Sequence, residues 1–223
     1  MRVLLFGATG MVGQGVLREC LLAGDVQEVV AIGRTPLGQK HGKLSQLHHR
    51  DLFDYSRLEA ELQGFDACFF CLGVSAVGMA EAQYSRLTYD LTLAAATTLA
   101  RLNPQMTFVY VSGASTDSSE QGRTMWARVK GRTENAVQRL PFKAVYLFRP
   151  GAIQPLHGIR SKTAFYQMFY SALGPLLSWA RRRWPHAVTS TAEVGKAMLV
   201  VARHGAPTAI IDGAAINRLA SER

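Results

Sequence analysis

The sequence predicts an α/β protein with a doubly wound parallel sheet of about seven strands. Short continuous apolar runs are typical of strands buried on both faces, and they recur at residues 3–6, 28–32, 67–72, 107–111 and 143–148. Segments with apolar residues at helical spacing follow several of these runs, at residues 80–102, 123–140 and 191–204. Strands that alternate with helices favour right-handed crossovers, which place helices on both faces of one parallel sheet.

Three glycines join the first predicted strand to the first predicted helix. The apolar run 3–6 leads directly into Gly7, Gly10 and Gly13, and helical spacing resumes after them. In such a unit one glycine permits a tight turn, one lets the backbone approach a pyrophosphate, and one lets the helix pack close to the strand. Thr9 adds a hydroxyl beside a helix N-terminus, which favours an anion. The motif predicts dinucleotide binding, with a purely structural turn as the alternative.

Arg34 follows the second predicted strand. In NAD-specific folds this position usually carries an acidic residue that binds the ribose 2′-hydroxyl. A guanidinium here can hold the 2′-phosphate of NADP with two parallel hydrogen bonds and can stack on adenine. The residue therefore favours NADP as the cofactor, with an exposed loop arginine as the alternative.

The third and fourth predicted strands end in further candidate binding residues. After a weaker strand over 43–49, Asp51 and Leu52 are expected at the adenine, where the Asp51 carboxylate could accept from the amino group. A simple turn role for Asp51 is equally consistent with the sequence. The strand over 67–72 ends at Gly73, and ligands of open α/β sheets cross such carboxyl ends.

The cysteines and histidines predict no metal site. Cys68 and Cys71 are three apart within a predicted strand, so their side chains are expected on opposite faces. They could not easily share a metal ion or form a disulfide, and we interpret them as packing residues. The clustered histidines also lack a partner at ligand spacing; they are His41, His48 and His49.

Length and hydropathy indicate one domain. The chain has 223 residues, 48% of them apolar, and residues 152–208 are expected to form a small substrate-side lobe at the C-terminal side, with a helix over 163–182. No apolar run is long enough to span a bilayer, and the N-terminal run is too short for a signal peptide. The expectation is a cytoplasmic protein that does not enter a membrane. A last short strand is expected at 209–212.

The net charge of +9 favours acidic partners in general. The densest basic cluster is Arg181, Arg182 and Arg183, next to Trp184, and stacking between such residues could bind single-stranded nucleic acid. One short cluster supports that hypothesis weakly, and we favour a solvated basic face.

Several motifs in fixed order carry a family resemblance. They are GATGMVG at 7–13, IGRTP at 32–36, DACFFCLG at 66–73, VSGAS at 111–115, VKGRTENAV at 129–137, FRPG at 148–151 and TAEVGKAML at 191–199. Together they cover nearly the whole chain, which resembles the atypical short-chain dehydrogenases/reductases of the NAD(P)-binding NmrA-like and Tat-interacting-protein-like group. The resemblance implies a Rossmann-type sheet and NADP as the cofactor.

The resemblance also implies a set of cofactor-binding residues. The glycine motif would hold the pyrophosphate, and Arg34 the phosphate of NADP. Lys130 would hold the ribose, and the turns after the fourth and sixth strands would lie along the rest of the cofactor. The implied positions of the glycine motif and the two turns are Gly7, Thr9, Gly10, Met11, Val12, Gly13, Cys71, Leu72, Gly73, Pro150, Gly151 and Ile153.

Catalytic members of that group carry a serine after the fifth strand and a Tyr-x-x-x-Lys pair on the next helix. Ser112 and Lys130 match, but Trp126 stands where the tyrosine would be. An indole N–H is a hydrogen-bond donor only and has no accessible proton to exchange, so another group would have to serve as the acid. The candidates are Ser112 itself, Ser115, Thr124, Tyr166 and Tyr170.

Two functions follow from this pattern. One is an NADP-dependent oxidoreductase acting on a small carbonyl or alcohol substrate. The other is a non-catalytic NADP(H) sensor that regulates a protein partner. The sequence fixes neither the substrate nor whether the protein is a homo-oligomer.

Overall fold

The structure is a computed structural model that describes residues 1–159 and 188–222. Its strands are β1 (Arg2–Phe6), β2 (Glu28–Gly33), β3 (Leu44–His48), β4 (Ala67–Phe70), β5 (Thr107–Val111), β6 (Ala144–Arg149), β7 (Ala152–Gln154), β8 (Val188–Ser190) and β9 (Ile210–Asp212). In the described chain, seven strands form one parallel sheet in the order β3-β2-β1-β4-β5-β6-β9, and β7 pairs with β8 in a small second sheet. The predicted doubly wound, Rossmann-type fold is confirmed.

Helices cover both faces of the main sheet. They are α1 (Met11–Leu22), α2 (Glu81–Ser85), α3 (Leu91–Leu102), α4 (Met125–Gln138), α5 (Thr191–His204) and α6 (Gly213–Ser221), with a π turn (Arg86–Asp90) between α2 and α3. Side chains of β1 alternate between two cores: Val3 and Leu5 pack with α1, α5 and α6, whereas Leu4 and Phe6 pack with α3 and α4. Strand β1 is therefore buried on both faces, as its continuous apolar sequence predicts.

The strand order reverses at β1. Successive strands run from β1 through β2 to β3 on one side, and from β4 through β5 to β6 on the other. Helices of the two halves therefore lie on opposite faces, and a crevice opens beyond the carboxyl ends of β1 and β4. This is the edge to which the glycine motif is attached.

Close helix packing joins the last third of the chain to the first. A Cβ atom on Gly15 of α1 would lie 2.6 Å from Thr191 Cβ, and one on Gly195 of α5 would lie 2.8 Å from Glu19 Cγ. An ion pair between Arg203 and Asp25 ties the other end of α5 to the loop after α1. Helix α5 is thus part of the helical layer of the main domain, although the predicted lobe over 152–208 included it. The lobe itself stays a prediction, because 160–187 lie outside the described residues.

The long predicted helix contains a change of register. Helical spacing over 80–102 predicts Tyr84, Leu87 and Leu91 on one buried face, but Leu87 and Leu91 are only partly buried. Thr88 and Thr92 are buried instead, and the Thr92 hydroxyl donates to the Thr88 carbonyl at 2.6 Å. The π turn widens the helix at this point and moves the buried face by one residue, which an ideal helical spacing could not predict.

Other predictions concern segments that are shorter or not described. The sequence predicts a short helix over 55–62 with Asp54 as its N-cap. The structure has a single 3₁₀ turn there, at Ser56–Leu58, and the Asp54 carboxylate accepts from the Ser56 N–H at 2.9 Å. The predicted helix over 163–182, the Arg181–Arg183 cluster, Tyr166 and Tyr170 lie outside the described residues. Of the helices that the structure describes, none has the length and hydropathy needed to cross a bilayer.

Candidate functional site

A cavity of about 810 Å³ opens at the carboxyl edge of the sheet, at the strand-order reversal. Its volume is within the usual range for sites that bind cofactors and small ligands. The turns after β1, β2, β4, β5 and β6 form its walls. Most predicted site residues lie on these walls: Gly7, Thr9, Gly10, Met11, Val12, Arg34, Leu52, Cys71, Leu72, Gly73, Ser112, Lys130, Pro150, Gly151 and Ile153. Gly13 and Asp51 do not.

The three glycines of the first turn have different structural roles. Gly7 has a φ of +80°, and a Cβ there would lie 2.7 Å from the Cys71 carbonyl carbon, so it fits between β1 and the turn after β4. A Cβ on Gly13 would lie 2.1 Å from the Gly7 carbonyl oxygen, so Gly13 lets α1 pack behind the wall. A Cβ on Gly10 would meet only that same oxygen, at 3.3 Å, and would otherwise point into open space. Gly10 is therefore the glycine that leaves room for a ligand.

The N-terminus of α1 is suited to an anion. Its N-cap is Gly10, no side chain caps it, and no acidic residue lies in its first turn. By contrast, Ser190 caps α5 in a capping box with Glu193, and Asp212 caps α6. The first N–H groups of α1 face the cavity without a side-chain cap, and the helix dipole favours negative charge there. These residues fit a pyrophosphate.

Strand β3 holds the loop that carries Arg34. His48 Nε2 contacts the Arg34 carbonyl oxygen at 2.5 Å, and Gln46 Oε1 accepts from the Leu37 N–H at 2.8 Å. Among residues 1–159 and 188–222, no acidic side chain pairs with the Arg34 guanidinium. His48 and Gln46 also line the cavity, and the sequence analysis missed both. Their alternation along a weak edge strand is the one signal that could have indicated them.

Asp51 does not reach the cavity. Its side chain is exposed and accepts from the Phe53 N–H at 3.0 Å, which is the turn role that the sequence left open. Leu52 is buried and lines the wall. The hypothesis that Asp51 binds adenine is not supported by this placement.

Ser112 and Lys130 lie together at the inner end of the cavity. The Lys130 ammonium donates to the Ser112 carbonyl oxygen at 2.5 Å, and the Ser112 hydroxyl donates to the Glu134 carboxylate. Burial lowers the pKa of Lys130 to about 8, while the negative charge of Glu134 opposes that shift. Sequence analysis missed Glu134, although its position four residues after Lys130 places both on one helix face.

The other candidate acids among the described residues, Ser115 and Thr124, do not line this cavity: Ser115 is exposed with a φ of 68°, and Thr124 is the exposed N-cap of α4. Trp126, which occupies the tyrosine position, is half-buried near the start of α4 and does not line the cavity either. Trp126 and Lys130 are four residues apart and so lie on one face of α4, but of the two only Lys130 lines the cavity.

Cys68 of β4 and Cys71, which directly follows β4, lie on opposite sides of the sheet, as predicted. Cys68 packs in the core under α3 and α4, whereas Cys71 packs toward α1 and lines the cavity. Burial raises the pKa of both thiols, so neither is activated as a nucleophile. In the described part of the chain, no three His, Cys, Asp or Glu side chains are grouped to hold a metal ion.

This sheet, its glycine turn and the cavity at the strand-order reversal define a dinucleotide-binding α/β protein. The model of the NAD dependent epimerase/dehydratase family matches residues 3–127. The chain belongs to that family and to the atypical short-chain dehydrogenase/reductase group. Its cofactor class is a nicotinamide dinucleotide.

Curated relatives agree with this assignment. Protein FMP52, mitochondrial, from Saccharomyces cerevisiae is 33% identical over 166 residues, covering 73% of this chain and 69% of the relative. Protein HTATIP2 from Rattus norvegicus is 28% identical over 154 residues, covering 68% and 62%. Leucinostatins biosynthesis cluster protein T from Purpureocillium lilacinum is 29% identical over 168 residues, covering 72% and 61%. The chain thus spans somewhat less than two thirds of the last two relatives.

Solved structures agree in fold. The Bordetella bronchiseptica enzyme WbmF in complex with NAD+ matches with a TM-score of 0.68 at 14% identity, over 99% of this chain and 76% of WbmF. UDP-glucuronic acid 4-epimerase from Bacillus cereus, in complex with NAD, matches with a TM-score of 0.66 at 12% identity, over 95% and 76%. At this identity the likeness shows the fold alone.

Proposed function

We propose that the protein is an NADP(H)-dependent oxidoreductase of the atypical short-chain type, acting on a small carbonyl or alcohol substrate. The observation that carries the proposal is the arrangement along one cavity. The uncapped N–H groups of α1 lie near its middle, and Lys130 with Ser112 lies at one end. At the other end lies Arg34, which has no acidic partner within the described ranges.

Each part of the cavity has a distinct task in this proposal. The turn at Gly10 binds the pyrophosphate, and Arg34 binds the 2′-phosphate with charge-assisted hydrogen bonds. Lys130 holds a ribose hydroxyl and supplies a positive charge near the reacting atoms. The bound nicotinamide supplies or accepts a hydride. The walls at Ile153 and Leu72 exclude water from the inner end.

The test is a titration of NADPH and NADH against the wild type, Arg34→Ala and the control Arg50→Ala, which removes an exposed arginine after β3. We expect NADPH to bind the wild type at least about tenfold more tightly than NADH, and Arg34→Ala to lose about 10- to 100-fold of the NADPH affinity, the range for a hydrogen bond to a charged group. Equal wild-type affinities, or the same loss in both variants, would contradict the role of Arg34.

A second function, an NADP(H) sensor, is favoured by two observations. Trp126 stands at the tyrosine position, and the Ser112 hydroxyl donates its proton to the buried Glu134 and not to the cavity. Neither residue therefore supplies a hydroxyl acid beside Lys130, as expected for an NADP(H) sensor that acts through a protein partner. NADPH oxidation with a panel of aldehydes, ketones and quinones separates the two functions. The wild type is compared with Trp126→Tyr, which adds a hydroxyl, and with Trp126→Phe, which does not.

The outcomes of that panel are distinct. Turnover by the wild type supports the oxidoreductase. A gain in Trp126→Tyr alone identifies a missing acid, whereas an equal gain in Trp126→Phe identifies steric obstruction by the indole. Intact NADPH binding without turnover in all three proteins supports the sensor.

The cytoplasmic location stays a prediction. The FMP52 relatives are named as mitochondrial proteins, so the mitochondrion is the alternative. Fractionation of cells that carry a tagged full-length protein decides between the two compartments.

A further inference from the structure

A fully buried carboxylate lies behind the inner wall of the cavity. Glu134 is 0% exposed, and both of its oxygens accept hydrogen bonds from the Arg149 guanidinium of β6. Arg149 also donates to Ser118 Oγ, in the loop after β5, at 2.5 Å. Because both oxygens accept hydrogen bonds from Arg149, the Glu134 side chain is an ionised carboxylate. The pair connects α4, β6 and the loop after β5 at one point.

The Ser112 hydroxyl donates its hydrogen bond to acceptors inside the protein. Its oxygen lies within hydrogen-bond distance of the Glu134 carboxylate and lies 3.2 Å from the Phe148 carbonyl oxygen. Both are acceptors, and a serine hydroxyl has one proton. That proton therefore stays inside the protein whichever acceptor takes it. Toward the cavity, Ser112 Oγ can only accept a hydrogen bond.

Lys130 contacts the backbone of the same serine. Its ammonium donates to the Ser112 carbonyl oxygen, and it lies four residues before Glu134 on the same face of α4. Burial disfavours the ammonium, and the Glu134 charge is the opposing electrostatic influence on the Lys130 pKa. Arg149 from β6 and Tyr110 from β5 face Glu134 in turn. Glu134 thus acts on both polar groups of the inner wall without reaching the cavity.

We propose that Glu134 is the positioning residue of this site: it makes Ser112 a hydrogen-bond acceptor toward the cavity and keeps Lys130 as the charged donor there. Only the assignment of the cavity to NADP(H) and its substrate rests on the proposed function. A ligand hydroxyl or amide N–H is then matched by Ser112, whereas a carbonyl oxygen is matched by Lys130. This excludes Ser112 from the candidate acids named from the sequence, because an acid must donate its proton toward the substrate.

The first test needs no cofactor. Full-length protein is labelled with limiting acetic anhydride from pH 6 to 11, and mass spectrometry gives the pH midpoint of Lys130 acetylation. We expect Glu134→Gln to lower that midpoint by about one pH unit, because it removes the opposite charge beside the ammonium. Glu81→Gln is the matched control. Glu81 of α2 pairs with Arg128 of α4, the helix that carries Lys130, but the Glu81 carboxylate is exposed.

Glu134→Gln leaves Arg149 without its buried carboxylate and can fail to fold, so the double variant Glu134→Gln/Arg149→Met is measured as well. It removes both buried charges and is expected to shift the midpoint downward by less than Glu134→Gln does, because the loss of the Arg149 positive charge partly offsets the loss of the Glu134 negative charge. An unchanged midpoint in whichever variant is folded, or an equal shift in Glu81→Gln, would overturn the proposal. Because the labelling uses apo protein, this result is independent of whether NADPH binds.

The second readout is the pH dependence of NADPH affinity, measured by fluorescence. Wild-type affinity is expected to weaken as Lys130 loses its proton, and the weakening is expected at lower pH in Glu134→Gln. Ser112→Ala keeps the Glu134 charge and is expected to leave that pH profile in place. Identical profiles in wild type and Glu134→Gln contradict the inference. An absence of NADPH binding in the wild type contradicts the proposed function instead, and the labelling result still decides the role of Glu134.

Discussion

At the scale of single residues, the glycine turn separates ligand binding from folding. A Cβ atom on Gly7 or Gly13 would collide with the backbone, with nearest atoms at 2.7 Å and 2.1 Å, whereas Gly10 borders open space. The same residue type is therefore required for two physical reasons: close backbone packing at Gly7 and Gly13, and access for a ligand at Gly10.

Gly10→Val is expected to abolish NADPH binding while the fold is retained. The branched side chain would occupy the space next to the first N–H groups of α1 without meeting much of the protein. Gly13→Ala is the comparison variant, because its Cβ would collide with the Gly7 carbonyl oxygen and cost about 1–3 kcal/mol of stability. Isothermal titration and urea unfolding measure the two effects. Undiminished binding in folded Gly10→Val would make the turn structural only.

Lys130 is expected to make stability depend on pH above neutrality. Its folded-state pKa of about 8 lies below the ordinary value of 10.5, so between these values the unfolded chain binds more protons. The cost of burying the ammonium is present in full below pH 8 and disappears as the pH rises toward 10.5. The free energy of unfolding of Lys130→Met should therefore exceed that of the wild type at pH 7, by up to about 3 kcal/mol, and by much less at pH 10.

Urea unfolding at both pH values checks this prediction. Lys40→Met, which removes an exposed lysine, controls for the loss of surface charge. If wild type and Lys130→Met differ in free energy of unfolding by the same amount at pH 7 and at pH 10, Lys130 keeps its ordinary pKa in the folded protein.

Local sequence was sufficient to predict residues whose role depends on their immediate neighbours. Gly10, Arg34 and Lys130 were found from position after a strand or within a helix, and all three line the cavity. Glu134 and His48 were missed, because their roles depend on partners that are distant in the chain: Arg149 for the first and the Arg34 carbonyl for the second. A spacing rule contains no information about such contacts.

At the scale of elements, the helix termini differ in how their N–H groups are satisfied. Helix α5 has a complete capping box, in which the Glu193 N–H donates to Ser190 Oγ at 3.2 Å and the Ser190 N–H donates to Glu193 Oε2 at 2.7 Å. Helix α1 has no side-chain cap. The first arrangement stabilises a helix in the absence of ligand, and the second leaves donors for an anion.

Ser190→Ala is expected to lower the free energy of unfolding by about 1–2 kcal/mol, because it removes the acceptor for the Glu193 N–H at a fully buried position. Urea unfolding measures the change, and Ser45→Ala on the exposed edge strand β3 serves as the control. NADPH affinity should stay the same in both variants. A loss of stability no larger than that of Ser45→Ala would contradict the capping role.

The buried strands of the main sheet were predicted well, since most of them are continuous apolar runs with a turn residue at the end. The short strands β7 and β8, with the sequences AIQ and VTS, were not predicted. Helix α5 was also predicted, at residues 191–204. The placement of α5 against α1 was not, because it depends on the fit of Gly15 and Gly195 to side chains of the facing helix. Helical spacing identifies a buried face but not the surface that covers it.

At the scale of the whole molecule, one sheet connects all parts of the cavity. The turns that form its walls belong to strands that pair with one another in the middle of the sheet, so their relative positions follow from strand register. The strand-order reversal beside β1 was predictable from the alternation of strands and helices. The participation of β3 side chains in the cavity was not.

NADPH is expected to stabilise the folded chain as a unit. At a concentration of about 100 times Kd, binding adds roughly 2.7 kcal/mol, which for a chain of this size corresponds to a rise in Tm of about 5–10 °C. Differential scanning fluorimetry with increasing NADPH measures the shift, and Gly10→Val provides the control. A wild-type Tm that does not respond to NADPH would contradict cofactor binding.

The π turn between α2 and α3 also bears on how chain length can vary in this family. A turn closed by i→i+5 hydrogen bonds holds one residue more than an α-helical turn, so a single residue can be inserted or removed there without breaking the helix. Removal of that one residue would rotate Tyr84 and the rest of α2 by about 100° relative to α3. In an alignment of relatives, a one-residue gap would then fall inside a helix, where gaps are usually confined to loops. Such a gap would mark which relatives share the buried Thr88–Thr92 contact and which carry an uninterrupted helix.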